Sequence, residues 1–250
     1  MEQKLANVVR IDVLGIPVDV VKPEELPSVL ADLLADSGRH QIVFIRLWDL
    51  MRARWNRTYR LTLRGASLVL PVSRTIQRGA RFLHRREPYR YHPFDFVIRL
   101  LNVVEEKRAS LYILGLKRKD ILRVEGNVRR TFPGAALVGR HNGYYPAELE
   151  KDIVLAIKKA APSVLLVGPG VPRGDRWIYD RKQQLNGGIY LCSSEVLEIL
   201  ADRRRRPSRK AFERGSAGRM DAILRPWRLL RLPGYLWYWF LLLVYRVLKK

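Results

Sequence analysis

The sequence predicts an α/β fold, a doubly wound and mainly parallel sheet with helices on both faces, carrying a basic C-terminal appendage. Three observations predict it. Short apolar runs at 67–70, 110–114, 135–138 and 163–167 stop at Pro71, Gly115, Gly139 and Gly168, as buried strands do. Helical patterns of about 10 to 17 residues separate such runs, the spacing of βαβ crossovers. A length of 250 residues accommodates one large domain, placed at 1–200, and an appendage at 201–250.

Taken in order, 8–21 alternates apolar and polar residues around Gly15-Ile16-Pro17 and reads as a hairpin. Pro23 opens a helix through Ser37, and Gly38 stops it. A β-branched strand at 41–45 precedes an arginine-studded helix at 48–64, and the strand at 67–70 precedes a helix at 73–86. After the loop REPYRYHPFD comes a helix with an apolar face at 94–108. Strand 110–114, helix 119–132, strand 135–138, helix 146–160, strand 163–167, helix 176–185 and strand 188–192 complete the alternation.

Charge is concentrated in two stretches. The chain carries a net +23. Between Arg46 and Arg90 stand 12 arginines and no lysine against Asp49 and Glu87; from Arg203 onward 14 basic residues oppose Glu213 and Asp221. These two surfaces hold nearly all of the excess, so the basicity belongs to them and not to the fold. Such fields attract nucleic acid, anionic lipid or phosphorylated substrates.

Cys192, the single cysteine, excludes an intramolecular disulfide and a cysteine-rich metal site, and fits a reduced cytoplasmic setting. The stretch MEQKLANVVRIDV has no uninterrupted apolar core and carries acids early, so it reads as the start of the folded domain and not as a signal peptide.

Near the other end, YLWYWFLLLVYRVL at 235–248 is apolar nearly all round. As a helix it extends about 21 Å at 1.5 Å per residue, short of the roughly 30 Å of bilayer hydrocarbon. Pro233 and Gly234 are expected to break it on one side. It either packs on the domain or an oligomer interface, or lies in a membrane surface. The second reading places Trp237, Trp239, Phe240 and Leu243 at headgroup depth, with Arg225, Arg228, Arg231, Lys249 and Lys250 on anionic lipid.

Three loops at predicted strand ends hold the polar chemistry: Arg90 to Asp95, Gly139 to Tyr145, and Gly168 to Trp177. The last follows the apolar run SVLLV and turns at Gly168-Pro169-Gly170, where an open α/β sheet leaves backbone N–H groups free for a ligand. Converging at one edge of the sheet, the loops would supply guanidinium for phosphate and carboxylate or imidazole for proton transfer. That describes a site for an anionic, sugar-like or nucleotide ligand. Each residue also has an ordinary role open to it: Asp95 as a helix N-cap, His141 in a turn, Trp177 in the core. The arginines of 48–64 form either a solvated face or, lacking lysine, a phosphate-recognising one.

Over LGIPVDV, ASLVLP, RYHPFDF, LYILGLK, FPGAALVGRHNGYY, VLLVGPGVPRGDRWI and PWRLLRLPGY the sequence resembles the WecG/TagA/CpsF family of bacterial glycosyltransferases. The resemblance implies inverting transfer of an N-acetylmannosamine-type sugar from a UDP-sugar to a polyprenyl-diphosphate-linked sugar in cell-envelope polysaccharide or glycolipid assembly. It implies no metal ion, no cofactor beyond the UDP-sugar donor substrate and no nucleic acid, on the cytoplasmic face of the membrane. The partners implied are the nucleotide-sugar, the polyprenyl-diphosphate lipid and an anionic membrane surface, with a homo-oligomer or protein partner to close the site. By position, Arg90 matches a donor-site arginine, and Asp95 the aspartate of a Gly-x-Asp element in which Pro93 replaces the glycine. His141, Gly143 and Tyr144 match a His-Gly-Tyr-aromatic loop. Pro172 and Trp177 match a Pro-x-Gln-Glu-x-Trp element, beside Gly168, Gly170 and Arg173 of the same turn. Arg228 and Arg231 match appendage arginines that reach the diphosphate.

The chain departs from the family at three places. Val72-Ser73 stands where the family has Asp-Gly, whose aspartate is its catalytic base; Phe44-Ile45-Arg46 replaces Thr-x-Asn; Gly174-Asp175 replaces Gln-Glu. Valine accepts no proton, so Asp95, His141 and Asp175 are the candidate substitutes. Two other function classes stand beside the transferase: a non-catalytic relative that binds nucleotide-sugar or lipid phosphate as scaffold or regulator, and an RNA-binding module.

Overall fold

The computed structural model describes residues 8–206, 208–214 and 232–248. The elements run β1 (Val9–Val13), β2 (Ile16–Val20), α1 (Leu26–Ala35), β3 (Arg39–Ile45), α2 (Leu47–Trp55), α3 (Arg57–Arg64), β4 (Leu68–Pro71), α4 (Arg74–His84) and α5 (Pro93–Glu106). Then come β5 (Ser110–Leu114), α6 (Arg118–Thr131), β6 (Ala136–His141), α7 (Glu150–Ala160), β7 (Val164–Val167), α8 (Gly174–Arg181), β8 (Gly188–Cys192), α9 (Ser194–Leu200), α10 (Arg209–Arg214) and α11 (Leu232–Leu248).

Strands β3 to β8 make one all-parallel sheet in the order β4-β3-β8-β7-β5-β6, the doubly wound α/β arrangement expected. Period-two alternation divides each strand between two layers. Ile42, Leu68, Val164 and Leu166 face α1, α5, α6 and α9. On the opposite face Val43, Ile45 and Val69 meet the hairpin, α2, α3, α4 and α11, while Leu165, Val167 and Tyr190 meet α7 and α8. The strands are apolar on both sides because both sides are covered.

The hairpin turns at Leu14 and Gly15, both with positive φ, the geometry that matches strand twist in a two-residue turn. It docks on β4 through Asp19, whose buried carboxylate accepts Val69 N–H at 2.6 Å and both Arg10 Nε and Nη2 at 2.8 and 2.9 Å.

Several elements differ from expectation for identifiable reasons. The arginine-studded segment is two helices, because Asn56 takes an extended backbone and its side chain accepts Tyr59 N–H at 2.9 Å, capping α3. Strand β6 continues through Gly139 to His141; the Tyr112 ring fills the space of a Gly139 Cβ, beside a register shift at Leu111/Tyr112. Helix α9, capped by Ser193, and α10 were not expected. Pro233 and Gly234 do not break the last helix; they lie in its first turn, where a missing N–H is tolerated.

That helix is packed along one side only. Tyr238 and Leu242 are fully buried beside Ile76 and Ala80 of α4, and Tyr238 Oη donates to the Thr75 carbonyl at 3.2 Å. The approach depends on Gly79, where a Cβ would overlap the Tyr238 hydroxyl. The other side leaves Leu236, Phe240, Leu243 and Val247 exposed at helical spacing, with the Trp237 and Phe240 rings stacked at 5.4 Å. No helix among the described residues is long and apolar enough to cross a membrane.

A pair of glycine substitutions tests this packing by urea titration. Gly126, in α6, has open space where a Cβ would go, so Gly126→Ala is expected to raise stability by up to about 1 kcal/mol through helix propensity. Gly79→Ala is expected to lower it by about 1–3 kcal/mol through overpacking. Stabilisation by both would contradict the close α4–α11 contact.

Candidate functional site

The carboxyl ends of the six parallel strands share one side of the molecule, and some of the residues singled out from the sequence fall there in two banks. Connections part between β5 and β7, since α6 leads outward to β6 and α8 leads back to β8. At this point four of the loop amides are taken up by neighbouring loops and strands. Gly168 N–H donates to Leu114 O at 2.8 Å, Leu116 N–H to Pro169 O at 2.6 Å, Gly143 N–H to Leu116 O at 2.9 Å and Gly115 N–H to His141 O at 3.0 Å. A Cβ at Gly143 would overlap Pro169 O, and one at Gly170 would come within 2.7 Å of Gly143 C. The glycines thus serve backbone-to-backbone contact between three loops, and these amide protons are used in it.

Outside that knot is a cleft of ≈ 420 Å³ lined by Leu116, Lys117, Tyr144, Pro169, Glu198, Arg203 and Arg204. Tyr144 presents its ring there at 59% exposure. His141 ends β6; its Nδ1 donates to Asn142 O at 2.8 Å, which leaves the Nε2 lone pair free. Trp177 is a buried residue of the α7–α8 core. Pro172 and Arg173 are exposed before α8, with Arg173 in the left-handed region at φ 50°.

The second bank lies beyond β4 and β3. Ser73 N-caps α4, and Val72 contributes only its main chain: its N–H bonds Ile45 O at 2.9 Å and its carbonyl accepts from Arg90 Nη1 at 3.4 Å. Arg90 also donates to Phe212 O at 3.1 Å and stacks on the Phe212 ring at 4.5 Å, so α10 folds down against the α4–α5 loop. Burial, then the neighbouring Arg74, lowers the Arg90 pKa. Around it is a larger cavity, ≈ 580 Å³, whose walls carry Arg74, Arg78, Arg81, Arg90, Arg99 and Arg206 against Glu87, Asp95 and Glu213. Asp95 is not an N-cap; it sits in the first turn of α5 and pairs with Arg206 at 2.6 Å.

His92, included in the sequence reading only as a member of the polar loop Arg90 to Asp95, caps α5. Its Nδ1 accepts Phe94 N–H at 3.3 Å and its ring meets Phe212 edge-on at 5.0 Å. Burial lowers its pKa, so at neutral pH it is uncharged with the proton on Nε2, a donor into the cavity and not a base. The His-Pro pair opening a helix was the available signal for it. Arg206 was visible only as part of a basic run, and Phe212 carried no signal.

Asp175 stands apart from both banks, in the first turn of α8. Its Oδ1 is inaccessible and has no partner, while its main-chain carbonyl accepts Gln41 Nε2–H at 2.7 Å. Burial first, and the Asp49 carboxylate second, push the Asp175 carboxyl up to about 7. The three candidate bases are therefore not one group. His141 ends β6, an edge strand, whereas Asp95 stands on α5 and lines the arginine cavity, so the two belong to different banks. Arg228 and Arg231 lie outside the described residues.

The run Arg203 to Arg206 crosses this end of the sheet as a strap tied by carboxylates. Arg203 pairs with Asp120 at 2.7 Å, Arg204 with Glu195 at 3.4 Å, and Arg206 with Asp95. It joins the two banks, so both present guanidinium groups to solvent. Among the described residues no cluster of three or more His, Cys, Asp or Glu side chains is arranged to hold a metal ion.

Comparison with known proteins identifies the family. The model of the Glycosyl transferase WecG/TagA/CpsF family matches residues 11–250. An N-acetylglucosaminyldiphosphoundecaprenol N-acetyl-beta-D-mannosaminyltransferase of Staphylococcus aureus (strain NCTC 8325 / PS 47) is 17% identical over 206 residues, 82% of this chain and 80% of the relative. The Bacillus subtilis (strain 168) protein of the same name is 20% identical over 183 residues, 72% of this chain and 71% of the relative.

The buried Asp175 gives a pH signature. Its folded pKa is raised above the ordinary 3.8 to about 7, so the native state favours the neutral acid. The resulting penalty is absent below about pH 4, grows as pH rises toward 7 and is constant above it. Asp175→Asn is expected to exceed the unsubstituted protein in stability by a few kcal/mol at pH 8, and to match it near pH 4. Urea unfolding at several pH values measures this; a pH-independent difference would show that the carboxyl is not held neutral.

Proposed function

The chain belongs to the WecG/TagA/CpsF family of glycosyltransferases, and on that premise we propose that it moves a hexosamine-type sugar from a UDP-sugar to a polyprenyl-diphosphate-linked acceptor, with inversion, at a cytoplasmic membrane surface. The observation that carries the reading is the arginine-walled cavity of ≈ 580 Å³ beyond β4. Six guanidinium groups against three carboxylates suit a diphosphate, whose oxygens accept paired N–H donors. The relatives' names supply the acceptor class, a sugar on diphosphoundecaprenol. The exposed apolar side of α11 supplies a face for the lipid surface on which such an acceptor sits.

In the transfer, the acceptor hydroxyl oxygen bonds to the anomeric carbon while the bond from that carbon to the UDP oxygen breaks. The hydroxyl proton needs a base, and Val72 has none to offer. Asp95 is the candidate that lines the arginine cavity. Its partner Arg206 is drawn off by an incoming diphosphate, which leaves the carboxylate free to take the proton. His92 Nε2–H and Arg90 are placed to donate to phosphate oxygens as charge builds on the leaving group.

Val72 also favours a second reading, in which the same cavity binds nucleotide-sugar or lipid phosphate without turnover. A radiolabelled UDP-N-acetylhexosamine, incubated with a polyprenyl-diphosphate sugar in detergent, separates the two. Label is expected in the lipid product, reduced on the order of 10²-fold by Arg90→Ala and by a similar factor in Asp95→Asn. Calorimetric binding of the donor with no label transferred would establish the second reading and overturn the first.

A further inference from the structure

We propose that the corner between α2 and α3, with Trp55 at its tip, is a second contact with anionic lipid, standing beside the exposed side of α11. The proposal rests on the membrane docking of α11 given above and extends it to a part of the chain far away in sequence.

Trp55 is the last residue of α2 and is 75% exposed. The break at Asn56 leaves its indole outside both helices, and Leu61 on α3 is 45% exposed nearby in the chain. The direction of Trp55 is set by Trp48. Seven residues separate them on α2, which returns a helical side chain to the same stripe, about 10 Å further along the axis. Trp48 is the residue on which α11 begins: the Tyr235 ring meets it edge-on at 5.8 Å and Gly234 lies against its ring. Trp55 is therefore on the side of α2 that looks toward α11.

The helices also share a direction. Arg54, at the end of α2, donates to Leu14 O at 2.9 Å, and His84, at the end of α4, reaches Asp12 O at 2.5 Å, so both helices run from the carboxyl end of the sheet to the hairpin turn. Helix α11 runs alongside α4, from Tyr238 at Thr75 to Arg246 over the Phe82 ring at 4.4 Å. Trp55 and the exposed Val247 and Leu248 thus come to the same end of this layer.

Charge selects the occupant. Among the described residues none of Arg52, Arg54, Arg57, Arg60 and Arg64 forms a salt bridge with a carboxylate: Arg54, Arg60 and Arg64 bond main-chain carbonyls, and Arg52 stacks on Tyr59 at 5.2 Å. Arg57, next to the corner, is exposed. An exposed indole among guanidinium groups that form no salt bridge, beside an apolar helix face, fits the interface of an anionic bilayer, where indoles sit at headgroup depth and each arginine near the surface adds attraction.

Flotation of the full chain with vesicles of phosphatidylcholine and phosphatidylglycerol tests this. Trp55→Ala is expected to weaken binding about tenfold and Arg57→Ala roughly fivefold, with Trp55→Phe restoring most of the loss and sugar transfer in detergent unchanged. Vesicle binding equal to the unsubstituted chain in Trp55→Ala and Arg57→Ala, while Phe240→Ser abolishes it, would overturn the second contact and leave α11 docking intact. Failure of the unsubstituted chain to bind any vesicle overturns both contacts, and the detergent assay then reports separately on the transferase. Retention of an RNA oligonucleotide without vesicle binding would assign the corner to nucleic acid and also overturn the proposal.

Discussion

The rest of this structure depends on the hydrogen bond from a guanidinium to a main-chain carbonyl, because 47 basic residues face 24 acidic ones and carboxylates alone cannot partner every arginine. Arg39 bonds Leu185 O, Arg54 bonds Leu14 O, Arg90 bonds Val72 and Phe212 carbonyls, and Arg99 bonds Pro23 O. Such bonds fix the side chain and satisfy exposed strand and helix ends without neutralising the charge. The molecule is thereby held together and left strongly positive by the same contacts. Such an excess of positive charge attracts phosphate-rich ligands and anionic surfaces.

Where acids do pair, they bind the arginine run to the end of the sheet. Asp120, Glu195 and Asp95 come from α6, α9 and α5, and together they lay residues 203–206 across both banks of the site. Exchange of a carboxylate for a phosphate at these arginines is a small electrostatic change, since both are oxygen anions accepting from the same fork. Under the proposed function these ion pairs would hold the place of a ligand, most directly at Asp95 and Arg206.

The last helix shows how one segment serves two solvents. Its buried side needs Gly79 on α4, which lets Tyr238 and Leu242 reach the layer beneath. Its other side is as apolar as the first and has nothing over it among the described residues. Packing against the domain and docking on a membrane, two fates opposed in the sequence reading, are compatible on this helix: the first uses one face, and the proposed second would use the other.

What the sequence determined by itself is local and periodic. The order of strands and helices, the parallel sheet, the glycines at strand ends and the two basic surfaces all follow from spacing and composition, since alternation and turn chemistry act over a few residues. Tertiary structure decided what those features are for. Gly168 and Gly170 read as an open ligand turn, yet Gly170 meets the backbone of Gly143 and Gly168 N–H bonds Leu114 O. Asp95, His141 and Asp175 read as interchangeable acids and bases, yet Asp95 pairs with Arg206 in the arginine cavity, His141 ends an edge strand and Asp175 keeps a buried, unpaired oxygen. Phe212 and His92 meet over the arginine cavity although 119 intervening residues separate them in the chain. No local pattern encodes such a meeting, because it depends on strand order and on which helix faces are left to receive a distant segment.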